Sequence, residues 1–227
     1  MDLTGRKDTP SLVGGNQMSV VFVEEVTRIS EVYNIPTNNA YEIRKVIDRW
    51  NADYLSYPRA WYKDTKDFTF YLRADNLELN YSSIKDYVKT LGIIPQFTAV
   101  EQSSSNGLAE RTIRTIDEMG QTMLLARSLP KDFWAWSYKH ANFIRNRIPI
   151  CINGIMCIDP YQAYFGHVFD YSKLRIFGSA CWIREPIIRK SESARGYRGI
   201  FIGFNPNSNA WLVYVPSRNK TMSSQDV

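Results

Sequence analysis

Apolar and polar positions alternate with two different periods along this chain. Met18-Ser-Val-Val-Phe-Val-Glu24 is a β-branched and aromatic run preceded by the turn signal Gly14-Gly15-Asn16, and Ile29-Ser-Glu-Val-Tyr-Asn-Ile35 alternates in its first part; both predict strands. From Asn39 the period lengthens: Ile43, Val46, Ile47 and Trp50 follow helical spacing, with Asn38 or Asn39 as the N-cap. Residues 51–66 read as loop. Phe68-Thr-Phe-Tyr-Leu-Arg-Ala74 predicts a strand that ends on Asp75-Asn76. A helix over about 81–91 presents Ile84, Tyr87, Val88 and Leu91, closed by Gly92. Ile93-Ile-Pro-Gln-Phe-Thr98 is a short strand that Pro95 places at an edge or a strand start. After the polar loop Gln102–Gly107, a long helix over about 107–128 carries Ala109, Ile113, Ile116, Gly120, Met123 and Leu124 on one face.

A second helix pair is predicted over 131–147, with Phe133, Trp134, Trp136, Tyr138 and Phe143 supplying core. From about residue 172 the strand signal returns in Leu174–Phe177, Ala180–Ile183, Gly199–Gly203 and Trp211–Val215, with turns at Gly178, Pro206-Asn207 and Ser217–Asn219. Strands followed by helix–strand alternation imply an α/β fold, a mixed sheet covered by helices. That order fits a ribonuclease H-like fold followed by a small antiparallel β-rich module. The predicted division is a core over 1–130, a helical extension over 131–170 and a basic β-rich module over 171–227.

Composition narrows the chemistry. With 44% hydrophobic and 22% charged residues, and 14 Tyr, 11 Phe and 6 Trp, the chain can build a sizeable core and is not a disordered tail. No apolar run approaches the roughly 18 residues of a membrane span, and the N-terminus carries no signal-peptide pattern, so a soluble intracellular protein is expected. Three cysteines, none in a CxxC pair, support neither a disulfide framework nor a structural zinc site. Two histidines leave carboxylates as the only plentiful metal ligands. The net charge of +5 is unevenly placed: residues 1–130 hold 15 Lys/Arg against 17 Asp/Glu, whereas residues 131–227 hold 13 against 6. The basic surplus is either a solvated face or a contact surface for a polyanion.

Three acids stand where chemistry is possible. Asp75 lies where a strand runs out, Glu110 one turn into the long helix, and Asp2 where a first strand would end. Three convergent carboxylates without His or Cys describe a site for a hard cation such as Mg2+ or Mn2+. Each also has a plain structural explanation: Asp75 as a turn residue beside Asn76, Glu110 as a first-turn acid favoured by the helix dipole.

The flanking residues are more specific. Asn106-Gly-Leu-Ala-Glu-Arg111 followed by Thr112-Ile-Arg-Thr115 resembles the NGxAER-x-x-RT signature of copia-type LTR-retrotransposon integrases; Leu72-Arg-Ala-Asp-Asn76 resembles their LRSDN motif and Asp2-Leu-Thr-Gly5 their DLxGP element. The resemblance continues through Leu129-Pro-Lys-Asp-Phe-Trp134, Asn146-Arg-Ile-Pro149, Leu174–Gly178 and Gly199–Gly203, covering nearly the whole chain in order. It implies a catalytic, metal-binding triad of Asp2, Asp75 and Glu110 holding two Mg2+ or Mn2+ ions. The implied activity is trimming of the element's DNA ends and their joining to target DNA. The implied partners are double-stranded DNA and further copies of the chain, with no membrane, and the implied location is the nucleus after a cytoplasmic particle stage. Arg111 and Arg114 flank Glu110; Arg114, at i+4, pairs with it or contacts phosphate. Lys173, Arg175, Arg184, Arg189, Lys190, Arg195 and Arg198 are the candidate DNA-backbone contacts, or a solvated face.

Several positions depart from the family pattern. Leu77-Glu78 stand where the family has glycines after the second Asp, and Glu24-Glu25 replace paired acids of the second strand. With Asp2 so near the start of the sequence, most of the central first strand and the family's zinc module are expected to be missing. A truncated or degenerate copy, catalytically inactive and at most weakly nucleic-acid-binding, is then the alternative expectation.

Overall fold

The computed structural model describes residues 1–55, 69–75, 82–98, 107–152, 156–184, 196–205, 208 and 210–225. The first layer is an antiparallel ladder of β1 (Asp2–Leu3), β2 (Met18–Val23) and β3 (Ser30–Ile35) in the order β1-β2-β3. Val20, Val21 and Phe22 are all buried, as in a strand covered on both faces. β4 (Phe70–Asp75) and β5 (Ile93–Thr98) form a parallel pair, with Asp75 opposite Thr98. The two ladders meet at Met1, whose ammonium donates to the Arg73 carbonyl at 2.8 Å and whose side chain packs with Val20, Leu72 and Ala74.

The first strand is short, yet the neighbouring backbone is not left bare. Asp2 and Leu3 pair with Val21 and Val20, and the pairing is continued by Thr4 N to Ser19 O and Lys7 N to Gln17 O, at 2.8 and 2.7 Å. The strand itself is two residues long, as short as the sequence implies.

Helices cover the sheet as the periodicity predicts. In α1 (Ala40–Trp50) the Asn39 side chain accepts from Glu42 N, and Ile43, Val46, Ile47 and Trp50 are buried. A π-helical turn over Asn51–Leu55, where a loop was expected, stacks Tyr54 on Trp50. Then follow α2 (Ser82–Thr90), ended by Gly92 at φ +72, and α3 (Gly107–Ala126), which buries Ala109, Thr112, Ile116, Gly120 and Leu124. In place of a helix pair, residues 131–147 form a 3-10 turn over Lys131–Phe133 and the single helix α4 (Trp134–Arg145), lying against α3. A hairpin of β6 (Ile150–Ile152) and β7 (Met156–Ile158) and the short helix α5 (Pro160–Phe165) complete this part; neither was expected. Cys151, in register with Cys157 on that hairpin, is disulfide-bonded, one bridge rather than a framework.

The C-terminal sheet runs β11-β10-β9-β8, built from β8 (Ala180–Arg184), β9 (Gly196–Asn205), β10 (Ala210–Val215) and β11 (Lys220–Ser224). Leu174–Phe177 is not a strand. The Asp170 side chain accepts from Ser172 N and fixes a 3-10 turn over Tyr171–Lys173 instead. Of the expected turns, Gly178 (φ +77) and Asn219 (φ +45) are left-handed, whereas Pro206-Asn207 lie outside the described residues. Phe177, Ile202 and Tyr214 share one apolar cluster with Val21, Val32, Ile116 and Trp134, so this sheet is fastened to the core through α3 and α4. None of the described helices is long and apolar enough to cross a membrane.

Candidate functional site

The burial of α3 sets the site. Turning Ala109, Thr112 and Ile116 into the core leaves Glu110, Ile113, Arg114 and Asp117 along one flank, at successive spacings of three, one and three. All four line a single cleft of about 400 Å³. Its other wall is Asp2, Leu3, Thr4, Gly5 and Lys7, the end of β1 and the segment leaving it. Two acids far apart in sequence, Asp2 and Glu110, therefore face the same space. Asp2 is half-buried, and one of its carboxylate oxygens accepts from Leu3 N at 2.9 Å; Glu110 is exposed in the first turn of α3.

Asp75 is the last residue of β4, two positions beyond Arg73, whose carbonyl takes the Met1 ammonium. The backbone thus brings its strand beside the one that carries Asp2. Among the described residues, no three acids, histidines or cysteines are gathered closely enough to hold a metal ion.

Charges of both signs line the cleft. Lys7 Nζ pairs with Asp117 Oδ1 at 2.9 Å and stands 4.9 Å from the Tyr138 ring centroid, while Gln121 donates to Asp117 Oδ2 at 2.6 Å. Glu110 and Arg114 are both exposed and, among the described residues, form no ion pair with each other. The helical pairing considered for Arg114 is therefore absent, and Arg114 lines the cleft. Arg111, also exposed, does not line it.

The seven basic residues of the C-terminal part proposed to contact DNA fall into three groups. Arg189, Lys190 and Arg195 lie outside the described residues. Arg175 folds back, its guanidinium 4.8 Å from the Trp211 ring and donating to the Ser172 and Leu174 carbonyls; half-buried Lys173 gives its own carbonyl to Trp211 Nε1. Arg184 and Arg198 are exposed on β8 and β9. Trp182 is opposite Arg198 in register and 68% exposed, and the period-two alternation puts Arg184 on the same face. The sequence reading missed this indole, although buried Ile183 between Trp182 and Arg184 carried the signal. It also missed Lys7 and Asp117. Asp117 could have been found from its seven-residue spacing to Glu110.

Known proteins resemble this chain in sequence and in fold. Residues 179–227, which contain β8 to β11, match a family model described as the retroviral polymerase SH3-like domain. The chain is 32% identical over 137 residues to the retrovirus-related Pol polyprotein from transposon RE2 of Arabidopsis thaliana, covering 59% of this chain and 9% of that polyprotein. It is 26% identical over 228 residues to the corresponding polyprotein from transposon TNT 1-94 of Nicotiana tabacum, covering 100% of this chain and 16% of that one. It thus spans only a small part of these relatives. Among solved structures, the catalytic core domain of BIV integrase superposes with a TM-score of 0.51 at 17% identity, covering 73% of this chain and 92% of that chain. The HTLV-2 integrase catalytic core domain, in complex with magnesium and in a trimeric form, gives 0.51 at 15% identity, covering 72% and 92%. The fold is therefore that of the ribonuclease H-like integrase cores. In sequence the chain is thus similar to retrovirus-related Pol polyproteins of transposons, and in fold to integrase catalytic cores.

Proposed function

We propose that this chain is the DNA-joining part of a transposon integrase, acting on the ends of element DNA with Mg2+ or Mn2+ held by Asp2, Asp75 and Glu110. The observation that carries this reading is the shared cleft of Asp2 and Glu110, with β4, the strand of Asp75, adjoining β1. The donor set fits a hard cation because the groups facing the cleft offer oxygen and neither imidazole nor thiolate. The magnesium in the HTLV-2 core points the same way. When bound, a pair of such ions would activate an attacking hydroxyl and stabilise the departing oxygen at phosphorus.

The remaining roles belong to the chain itself. Arg114, unpaired with Glu110, is placed to take a DNA phosphate at the mouth of the cleft. Arg184 and Arg198, flanking exposed Trp182, offer a cationic and aromatic face to the DNA backbone away from the cleft, and Lys173, Arg175, Arg189, Lys190 and Arg195 extend the basic stretch. In this reading residues 1–130 form the catalytic core, 131–170 a helical extension and 171–227 a DNA-holding module. Assembly into homo-oligomers on two DNA ends, inside the nucleus, completes the proposal.

The test is strand transfer with Mn2+ on a duplex carrying a recessed element end. Joined product is expected from this chain, and Glu110→Gln should reduce it on the order of a hundredfold or more, since metal stabilisation is worth several kcal/mol. Joining that survives Glu110→Gln, or no joining by the folded chain with either metal, would reject the reading.

A further inference from the structure

The cleft has two walls, one carrying Asp2 and the other Glu110 and Asp117. Asp2 begins β1 on one side; Glu110 lies in the first turn of α3 on the other. The backbone N–H groups of Thr4 and Lys7, in the segment leaving β1, donate to Ser19 in β2 and to Gln17 just before it, not to α3. The crossing from one wall to the other is made by side chains. Lys7 reaches Asp117 at 2.9 Å, both side chains about one-third exposed at 30% and 32%. The pair is braced on every side: Gln121 holds the second Asp117 oxygen, and the Tyr138 ring of α4 lies under the Lys7 ammonium. Lys7 and Asp117 themselves line the cleft with Asp2 and Glu110.

We propose that Lys7 and Asp117 are positioning residues that clamp the β1 segment to α3 and so set the separation at which Asp2 and Glu110 share a divalent cation. The inference rests on the metal site proposed above. Neither residue is a ligand in this proposal: Asp117 pairs with Lys7 through one oxygen and accepts from Gln121 with the other.

Charge alone and clamping give opposite signs for Lys7, and that separates them. A lysine acting only as a nearby positive charge weakens cation binding, so its removal would tighten Mn2+. A clamp predicts loosening. The measurement is Mn2+ affinity of the whole chain, read by electron paramagnetic resonance of the free ion, with thermal midpoints recorded alongside. Lys7→Met and Asp117→Asn should each weaken binding by about tenfold, the low end of what residues supporting metal ligands contribute. Lys7→Arg, which keeps the bridge, and the swap Lys7→Asp with Asp117→Lys should both recover to within about threefold of the parent. Affinity unchanged or tightened in Lys7→Met, or a folded swap as weak as the single variants, would overturn the clamp while leaving the metal site standing. A folded parent chain that binds no Mn2+ would overturn both.

Discussion

His140 shows how one residue's surroundings fix its chemistry. Its ring is 4% exposed and lies among Phe143, Phe177 and Phe201, with Nδ1 finding no hydrogen-bond partner. Burial first, and the Arg147 guanidinium second, lower its pKa from 6.5 to about 4. Arg147 is itself buried, 3.6 to 4.3 Å from the rings of Phe143, Tyr161 and Phe169, and burial lowers its pKa to about 10. The sign for His140 follows from the two states. Above pH 6.5 the imidazole is neutral in both, and the full stability is present. Between 6.5 and about 4 the unfolded chain takes up a proton that the folded chain refuses, so stability falls as pH falls. The slope approaches 1.4 kcal/mol per pH unit, on the order of 3 kcal/mol by pH 4. Urea unfolding of the parent and of His140→Phe should show their difference changing in this window and flat above pH 7. Parallel curves from pH 4 to 7 would mean that His140 takes up its proton as readily in the folded chain as in the unfolded one.

At the scale of elements, the α3–α4 contact is where packing overrides propensity. A Cβ added at Gly120 would stand 2.7 Å from Tyr138 Cδ1, 3.0 Å from Cε1 and 3.2 Å from Ser137 Oγ. In an isolated helix, Gly→Ala is favourable by about 1 kcal/mol. Here Tyr138 is buried and its ring takes part in the support of Lys7, so it has little room to withdraw. Overpacking costs about 1–3 kcal/mol, and Gly120→Ala should therefore lower stability by about 1 kcal/mol or more in urea unfolding. An increase in stability would show that the two helices are not held this close.

The same scale shows what the sequence makes legible. β2, β3, α1 and α3 carry long, clean periods, and their bounds follow from them. Leu174-Arg-Ile-Phe177 alternates like a strand, but the short-range Asp170 cap wins over that pattern. β11 is Lys-Thr-Met-Ser-Ser, an edge strand too polar to announce itself, and it forms by pairing with β10. α5 did carry signals, with Asp159 capping, Pro160 in the first turn and Gly166 left-handed at the end. They were missed because the helix is only six residues long. Asp2, Asp75 and Glu110 stood out through their flanking motifs, not through any periodicity. Lys7 carried no local signal, because its partner is 110 residues away in sequence.

For the whole molecule, the proposed function requires that the integrase-core fold bring Asp2, Asp75 and Glu110 around one divalent cation. The apolar clusters explain how: one gathers Met1, Val20, Leu72 and Ala74 where the two ladders meet, and the other seats α3 over β2 and β3 through Val21, Val32 and Ile116. Each of these cores holds one wall of the cleft, so the site is a property of the assembled fold. The most direct measurement is anomalous diffraction at the manganese edge from crystals of this chain soaked in Mn2+. A peak within coordination distance of both Asp2 and Glu110, with Asp75 at the same ion, is expected, and the peak should vanish in Glu110→Gln. Clear density for the cleft with no manganese peak in it, or manganese bound only elsewhere, would contradict the metal site and with it the proposed function.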